Sequence, residues 1–525
     1  MLKDLIAALL EQLECIVYPG LLLVAWLLWK TWRFTVRPYF HREEVSMLPY
    51  NIPILGHAIS MFKNTTELYA YAELHMIVVT NPKHKAEIYK NNEAYSYDPF
   101  INLAYKRVGN VADTSLDLLW RKVSEGFTSL HPNPKHKVLV HTGIDLFYKQ
   151  LLSPGPFLDL VDTVAPNIER RLRWDNFAPT TVMNEVDAAA EPTKVVSLHR
   201  WVRDVAIGAQ TCSFFGPYLE EQTPGFLTVY DQYDINSWMA TYQYPDFMAK
   251  SVTVPRERVV KGITAYLDTP RKKRRGGVAY VNELEDEMRQ AGLDTDTCAR
   301  VLFIILWGTN SNVQLTTFWC MVHLLEDASL RAAVRAEIAP FMTATADNGE
   351  DFAEPLRLGL CESCPLLNSV FNEILRFYNT GSSVRQTTRE VRIDGRRVPG
   401  DTTILLPRRH LLLAPEAFGP DAHTVDPYRF FRDKGLERHE YYEPWGQGIT
   451  RCSGKAIGRF EVLSFIAWAL WRYEFKVVGE GQRAVDGTPG LRVPRIDLKK
   501  PSLGMSKQVE GDDMVVEVTQ RFPEN

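Results

Sequence analysis

The sequence predicts one large, mainly helical domain with a minor β-sheet, preceded by an N-terminal transmembrane helix. Three observations carry that expectation. Apolar residues recur at three- and four-residue spacing over long stretches, strand-like segments are short and clustered, and a charge-free apolar run lies near the N-terminus. Composition agrees, because 45% hydrophobic and 24% charged residues in a chain of 525 are those of a folded protein with a sizeable core. A formal net charge of -4 argues against nucleic acid as a partner, since phosphate binding needs a concentrated positive field. The seven cysteines are few and unevenly spaced for a disulfide framework, so reducing, cytosolic surroundings fit better.

The apolar run comes first. Between Glu14 and Lys30 no charge occurs, and Ile16 to Trp29 is apolar enough to enter a bilayer, although shorter than the roughly 20 residues a spanning helix wants. Lys30 and Arg33 can snorkel, and Trp29 and Trp32 suit the interface. Asp4, Glu11 and Glu14 stand where a signal peptide would be basic. Lys30, Arg33, Arg37 and Arg42 all follow the run and place the remainder on the cytosolic side. Residues 1–40 therefore read as a retained anchor with a basic flank. In 41–58, Pro49, Pro53 and Gly56 interrupt any helix and make a stiff linker, and 59–525 forms the main domain.

Within that domain helices are expected over Arg300 to Leu325, Leu330 to Pro340, Leu366 to Tyr378 and Gly454 to Tyr473. Strands are expected over Thr387 to Ile393 and Thr402 to Leu406. The basic run Arg271 to Arg275 reads as a solvated loop, and the Cys361-Glu362-Ser363-Cys364 pair lacks a second half with zinc-site spacing.

The chemistry concentrates in Trp445-Gly446-Gln447-Gly448-Ile449-Thr450-Arg451-Cys452-Ser453-Gly454, where three glycines surround one cysteine and an apolar helix pattern follows at once. A thiolate that ligates iron needs a lowered pKa, N–H groups aimed at its sulfur, and a backbone able to fold closely under a flat macrocycle. A glycine-rich loop opening a helix supplies all three. Here the chain resembles the cytochrome P450 superfamily, whose haem loop runs aromatic-Gly-x-Gly-x-x-x-Cys-x-Gly. The resemblance implies the P450 fold, heme b (iron protoporphyrin IX haem) as cofactor, and Cys452 as metal ligand and axial thiolate.

Glu373-Ile374-Leu375-Arg376 resembles the family's Glu-x-x-Arg, and Pro427-Tyr428-Arg429-Phe430 resembles the segment that returns an arginine to that pair. A Glu buried between two arginines is costly to leave half-made, so Glu373, Arg376 and Arg429 are expected to lock the Cys452 loop structurally. Arg385 and Arg451 are expected to meet the haem propionates, with Trp120 and Arg121 as further cofactor contacts on the resemblance of Trp120-Arg121-Lys122 to the family's C helix.

The oxygen-handling helix departs from the family, which carries an acid followed by an alcohol. The stretch Leu306-Trp307-Gly308-Thr309-Asn310-Ser311-Asn312-Val313 resembles the branch containing cholesterol 7α-hydroxylase and prostacyclin synthase. An ungapped match puts Asn312 at the acid position and Val313, which cannot relay a proton, at the alcohol position. Shifting by two offers Asn310 and Ser311, so the catalytic alcohol is Ser311, Thr309 or an ordered water. Gly308 among bulky neighbours points to a close approach of something to this helix. A second departure is the short passage from Glu67–Glu73 into His75–Pro82, which leaves little room for the family's first strand hairpin. It reads as a truncated sheet or an imperfect gene model.

Only about seventy residues follow Cys452, too few for a fused flavin reductase, so electrons are expected from a separate partner, NADPH-cytochrome P450 reductase, with cytochrome b5 as a possible second donor. The resemblance implies a monooxygenase that hydroxylates or epoxidises a lipophilic small molecule, such as a terpenoid, sterol or polyketide intermediate of specialised metabolism. It would be a single-pass protein of the endoplasmic reticulum membrane with its catalytic domain in the cytosol. A P450-fold isomerase or dehydratase working without reductase is the alternative, and a haem-binding protein without turnover the third.

Overall fold

The structure, a computed structural model, describes residues 2–40, 76–121, 129–133, 135–186, 192–347, 351–478, 493–500, 502 and 504–522. The linker expected at 41–58 and most of the junction where a hairpin seemed to be missing lie outside them. The chain is mainly helical with minor sheets, and its backbone sorts into two compact units: Met1–Tyr97 with Ser383–Pro407, and Asp98–Ser382 with Arg408–Asn525.

In the first unit a helix forms over Leu2–Thr31, where the membrane span was expected. Among the described residues, however, no helix is long and apolar enough to cross a membrane. Within that helix the charge-free stretch Ile16 to Trp29 is fourteen residues and contains Pro19. The unit's sheet runs in the order Met76–Val78, Thr403–Pro407, Ser382–Thr387, Tyr95–Ser96. Val391–Ile393 and Arg396–Val398 form a separate hairpin around Asp394 and Gly395, both at positive φ. The single strand expected over Thr387 to Ile393 is instead broken at residues 388–390, so that Thr387 ends one strand and Val391–Ile393 starts the hairpin that the Asp-Gly turn closes.

The second unit is built around the helix Thr295–Glu326, against which Leu198–Phe215, Lys250–Leu267, Lys455–Arg472 and Pro365–Tyr378 pack. It starts five residues before the expected Arg300 because Asp294 caps it, its carboxylate accepting from Thr297 N at 2.7 Å. The next helix, Ala328–Asp347, runs through Pro340 where the sequence predicted its end. Trp319 stacks on Tyr378 with ring centroids 4.0 Å apart and donates from Nε1 to Ser506 O at 2.9 Å. This one indole ties the long helix to the Pro365–Tyr378 helix and to the C-terminal segment. A sheet ordered Val182–Val186, Thr193–Ser197, Val515–Gln520, Tyr473–Val477 sets Val516 between Val196 and Val477.

Candidate functional site

Cys452 is the exposed cysteine of the second unit, whereas Cys212, Cys298, Cys320, Cys361 and Cys364 are buried. Its loop folds back sharply: Cys452 N donates to Trp445 O at 2.8 Å and Arg451 N to Gly448 O at 3.1 Å. Gly446 and Gly448 have φ of 70° and 61°, conformations that side chains disfavour, so the loop's need for glycine falls on these two positions. The helix Lys455–Arg472 opens immediately behind. The thiol is open to solvent yet deep enough that burial raises its pKa, while the Gly454 N–H and the Arg408 guanidinium act the other way.

Glu373 and Arg376 are wholly buried on the Pro365–Tyr378 helix. Arg376 Nε and NH2 donate to the two Glu373 carboxylate oxygens, each at 2.7 Å. Its remaining donors reach Leu412 O, Ala422 O and Thr424 O at 2.9, 2.7 and 2.9 Å. Arg429 Nε donates to Glu373 at 3.3 Å and its Nη2 pairs with Asp421 at 3.0 Å, while Asp426 N donates to Glu373 at 2.8 Å. The three residues thus come together as a buried cluster that fixes the chain between Leu412 and Arg429.

The long helix is buried along most of its length, yet Gly308 and Asn312 are exposed in its middle, and open space surrounds Gly308. Both line a cavity of about 200 Å³ together with Asp234, Trp238, Trp307, Ser311 and Lys507. Ser311 Oγ donates to Trp307 O at 2.5 Å, and Thr309 Oγ1 turns back to Ile305 O at 3.0 Å. Asn312 Oδ1 accepts from Met505 N at 2.9 Å. A Cβ placed on Gly458, six residues after Cys452, would meet Val313 Cγ2 at 3.6 Å. Val313 is therefore the side chain of this stretch that lies against the helix carrying Cys452's loop.

Arg451 and Arg121 are exposed, and Trp120 donates from Nε1 to Asn102 Oδ1 at 2.9 Å. Arg385 belongs to the first unit, where it is buried with its guanidinium 5.2 Å from the rings of both Tyr89 and Tyr97; desolvation lowers its pKa. Sequence reasoning missed Arg408, which donates to Gly381 O and Pro444 O, each at 3.3 Å, beside the thiol. It also missed the buried charges at Arg203 and Asp234 and the half-buried Lys507 beside them. No local motif marks these residues, which meet only through folding.

An exposed thiol on a loop with two positive-φ glycines, with an opened helix near the start of the following helix, fits a flat cofactor bound through sulfur. The cytochrome P450 family profile matches residues 214–498. The chain is 23% identical over 465 residues to the cytochrome P450 monooxygenase poxD of Penicillium oxalicum, covering 83% of this chain and 88% of that protein. It is 25% identical over 234 residues to prostacyclin synthase of Bos taurus, covering 42% and 45%. It is 24% identical over 234 residues to human 7-alpha-hydroxycholest-4-en-3-one 12-alpha-hydroxylase, covering 41% and 44%. In these last two matches the chain spans just under half the length of the relative. The profile takes in more than half of the sequence, including the Glu373 cluster, the long helix and Cys452: the chain belongs to the cytochrome P450 family, whose cofactor is heme b with an axial cysteine thiolate.

Proposed function

We propose that the protein is a haem-thiolate monooxygenase of a lipophilic small molecule, with Cys452 as the iron ligand. The observation that carries this reading is the exposed Cys452 thiol on its glycine-bent loop, set where the helix behind it meets the opened middle of the long helix. When bound, the haem supplies dioxygen activation for inserting one oxygen atom into a C–H bond or an alkene. The chain's residues hold and orient. Gly454 N–H and Arg408 favour the thiolate form of Cys452. The Glu373, Arg376 and Arg429 cluster holds the segment that leads into the loop. Arg451, exposed one residue before Cys452, would meet a propionate. With Ser311 and Thr309 bonded to their own helix, proton delivery falls to water held in the cavity beside Asn312.

Electrons come from NADPH-cytochrome P450 reductase. Attachment to the cytosolic face of the endoplasmic reticulum membrane is supported by the Leu2–Thr31 helix, whose Leu21, Leu22, Leu23, Leu27 and Leu28 are exposed and which is followed by Arg33 and Arg37. The isomerase reading is not favoured, because the relative matched over 83% of the chain is named a monooxygenase while the prostacyclin synthase match covers 42%. Turnover of candidate lipophiles with reductase, NADPH and isotope-labelled dioxygen tests the proposal. One labelled oxygen in the product, with strict dependence on NADPH and reductase, is expected. Turnover of an oxygenated substrate without either would contradict it.

A further inference from the structure

The cavity beside the long helix is lined by the apolar surfaces of Trp238, Trp307 and Leu315 together with charged and polar groups, Asp234, Lys500 and Lys507 among them. Asp234, on the helix Phe226–Thr241, is 1% exposed. Its Oδ2 is approached at 3.3 Å by Arg203 and at 3.4 Å by both Gln314 and Lys507. Its Oδ1 makes no hydrogen bond of good geometry among the described residues, although the Ser311 hydroxyl, which donates to Trp307 O, lies beside this carboxylate. Two donors on the same cavity are in the same condition: the indole Nε1 atoms of Trp238 and Trp307 are buried without an acceptor among the described residues. A buried acceptor and a buried donor left unmade are each destabilising, so the site gains from a ligand that supplies both complements.

Charge decides what that ligand is. Asp231 and Asp234 face Arg203 and Lys507, two carboxylates against two cations, and this core of the cluster is already neutral. His199, beside Arg203 and Lys507, is held neutral because burial and these cations lower its pKa. A carboxylate or phosphate would have to displace Asp234 from Lys507, and a cation would be repelled by Lys507 and Arg203. A neutral hydroxyl completes the site without adding charge.

We propose that the cavity binds a hydroxyl-bearing lipophile, its O–H donating to Asp234 Oδ1 and its oxygen accepting from Nε1 of Trp307, the more buried of the two indoles. This rests on the monooxygenase reading and names the substrate class of that same site. Asp234 and Trp307 are then specificity determinants, and the apolar lining surfaces take the hydrocarbon body.

Equilibrium dialysis of the full, haem-loaded chain against 2-decalol and decalin tests the proposal, the two probes differing by one hydroxyl. The wild-type protein should hold 2-decalol about tenfold more tightly than decalin, as a hydrogen bond to a charged group implies. Trp307→Phe and Asp234→Asn should each bring the two dissociation constants within about threefold of one another, chiefly by weakening the alcohol. Should Asp234→Asn strand Lys507 and fail to fold, Trp307→Phe decides alone. Equal affinity of the wild-type protein for both probes, or an undiminished alcohol preference in folded Trp307→Phe, would overturn the proposal. The reduced carbon monoxide spectrum of the same samples reports the haem-thiolate centre separately, so a normal spectrum with no alcohol preference sinks the substrate class and leaves the enzyme reading standing.

Discussion

Glu373 accepts from Arg376, Arg429 and the Asp426 backbone while wholly buried, so its removal strands two guanidinium groups away from water. Glu373→Ala should cost about 3–5 kcal/mol, the usual penalty for breaking a buried ion pair from one side. Lower haem occupancy and a lower urea midpoint measure that loss, and a haem-loaded variant of wild-type stability would contradict it. This cluster was legible in the sequence because Glu-x-x-Arg is a local spacing and Arg429 stands in a recognisable segment between it and Cys452. Glu461 was not legible. It looks like any helix carboxylate, yet it is buried against the Gln210 amide, and burial pushes its carboxyl pKa well above the ordinary 4.5. The folded state therefore keeps a proton that the unfolded chain releases, and stability falls as pH rises from about 4.5 towards the raised folded value. Glu461→Gln should remove that part of the pH dependence. Denaturant midpoints of variant and wild type followed upward from the ordinary 4.5 check it, and parallel curves would be the contrary result.

At the scale of elements, the helix Thr295–Glu326 carries the mechanism's open question. Its apolar periodicity made the helix visible, whereas its true start depends on the Asp294 cap, which a search for apolar spacing passes over. The two candidate alignments differ in which side chain faces the Cys452 helix, and the packing of Val313 on Gly458 supports the ungapped one. Ser311 lines the cavity, but its hydroxyl is engaged by Trp307 O. Ser311→Ala should therefore leave peroxide release per NADPH within about twofold of wild type, and Val313→Thr should preserve or improve coupling to product. A several-fold rise in peroxide from Ser311→Ala would return the relay to that hydroxyl. The cavity's polar end was illegible for a different reason: Arg203, Asp234 and Lys507 lie far apart in sequence and converge only when three elements pack.

Across the whole molecule, the helical class and the minor sheets followed from local pattern, while among the described residues no helix is long and apolar enough to cross a membrane. The exposed leucines of Leu2–Thr31 still favour a membrane surface. Deleting Met1 to Arg37 should shift much of the protein out of the membrane fraction with haem binding intact, as fractionation and absorbance will show, and complete loss of folding would mean that the segment packs within the domain. The central claim is that Cys452 holds the iron. Its most direct test is the reduced carbon monoxide difference spectrum of purified wild type and Cys452→Ala at matched protein concentration. The account predicts a thiolate-type Soret band in the wild type and none in the variant. A thiolate-type band that survives in Cys452→Ala would contradict it.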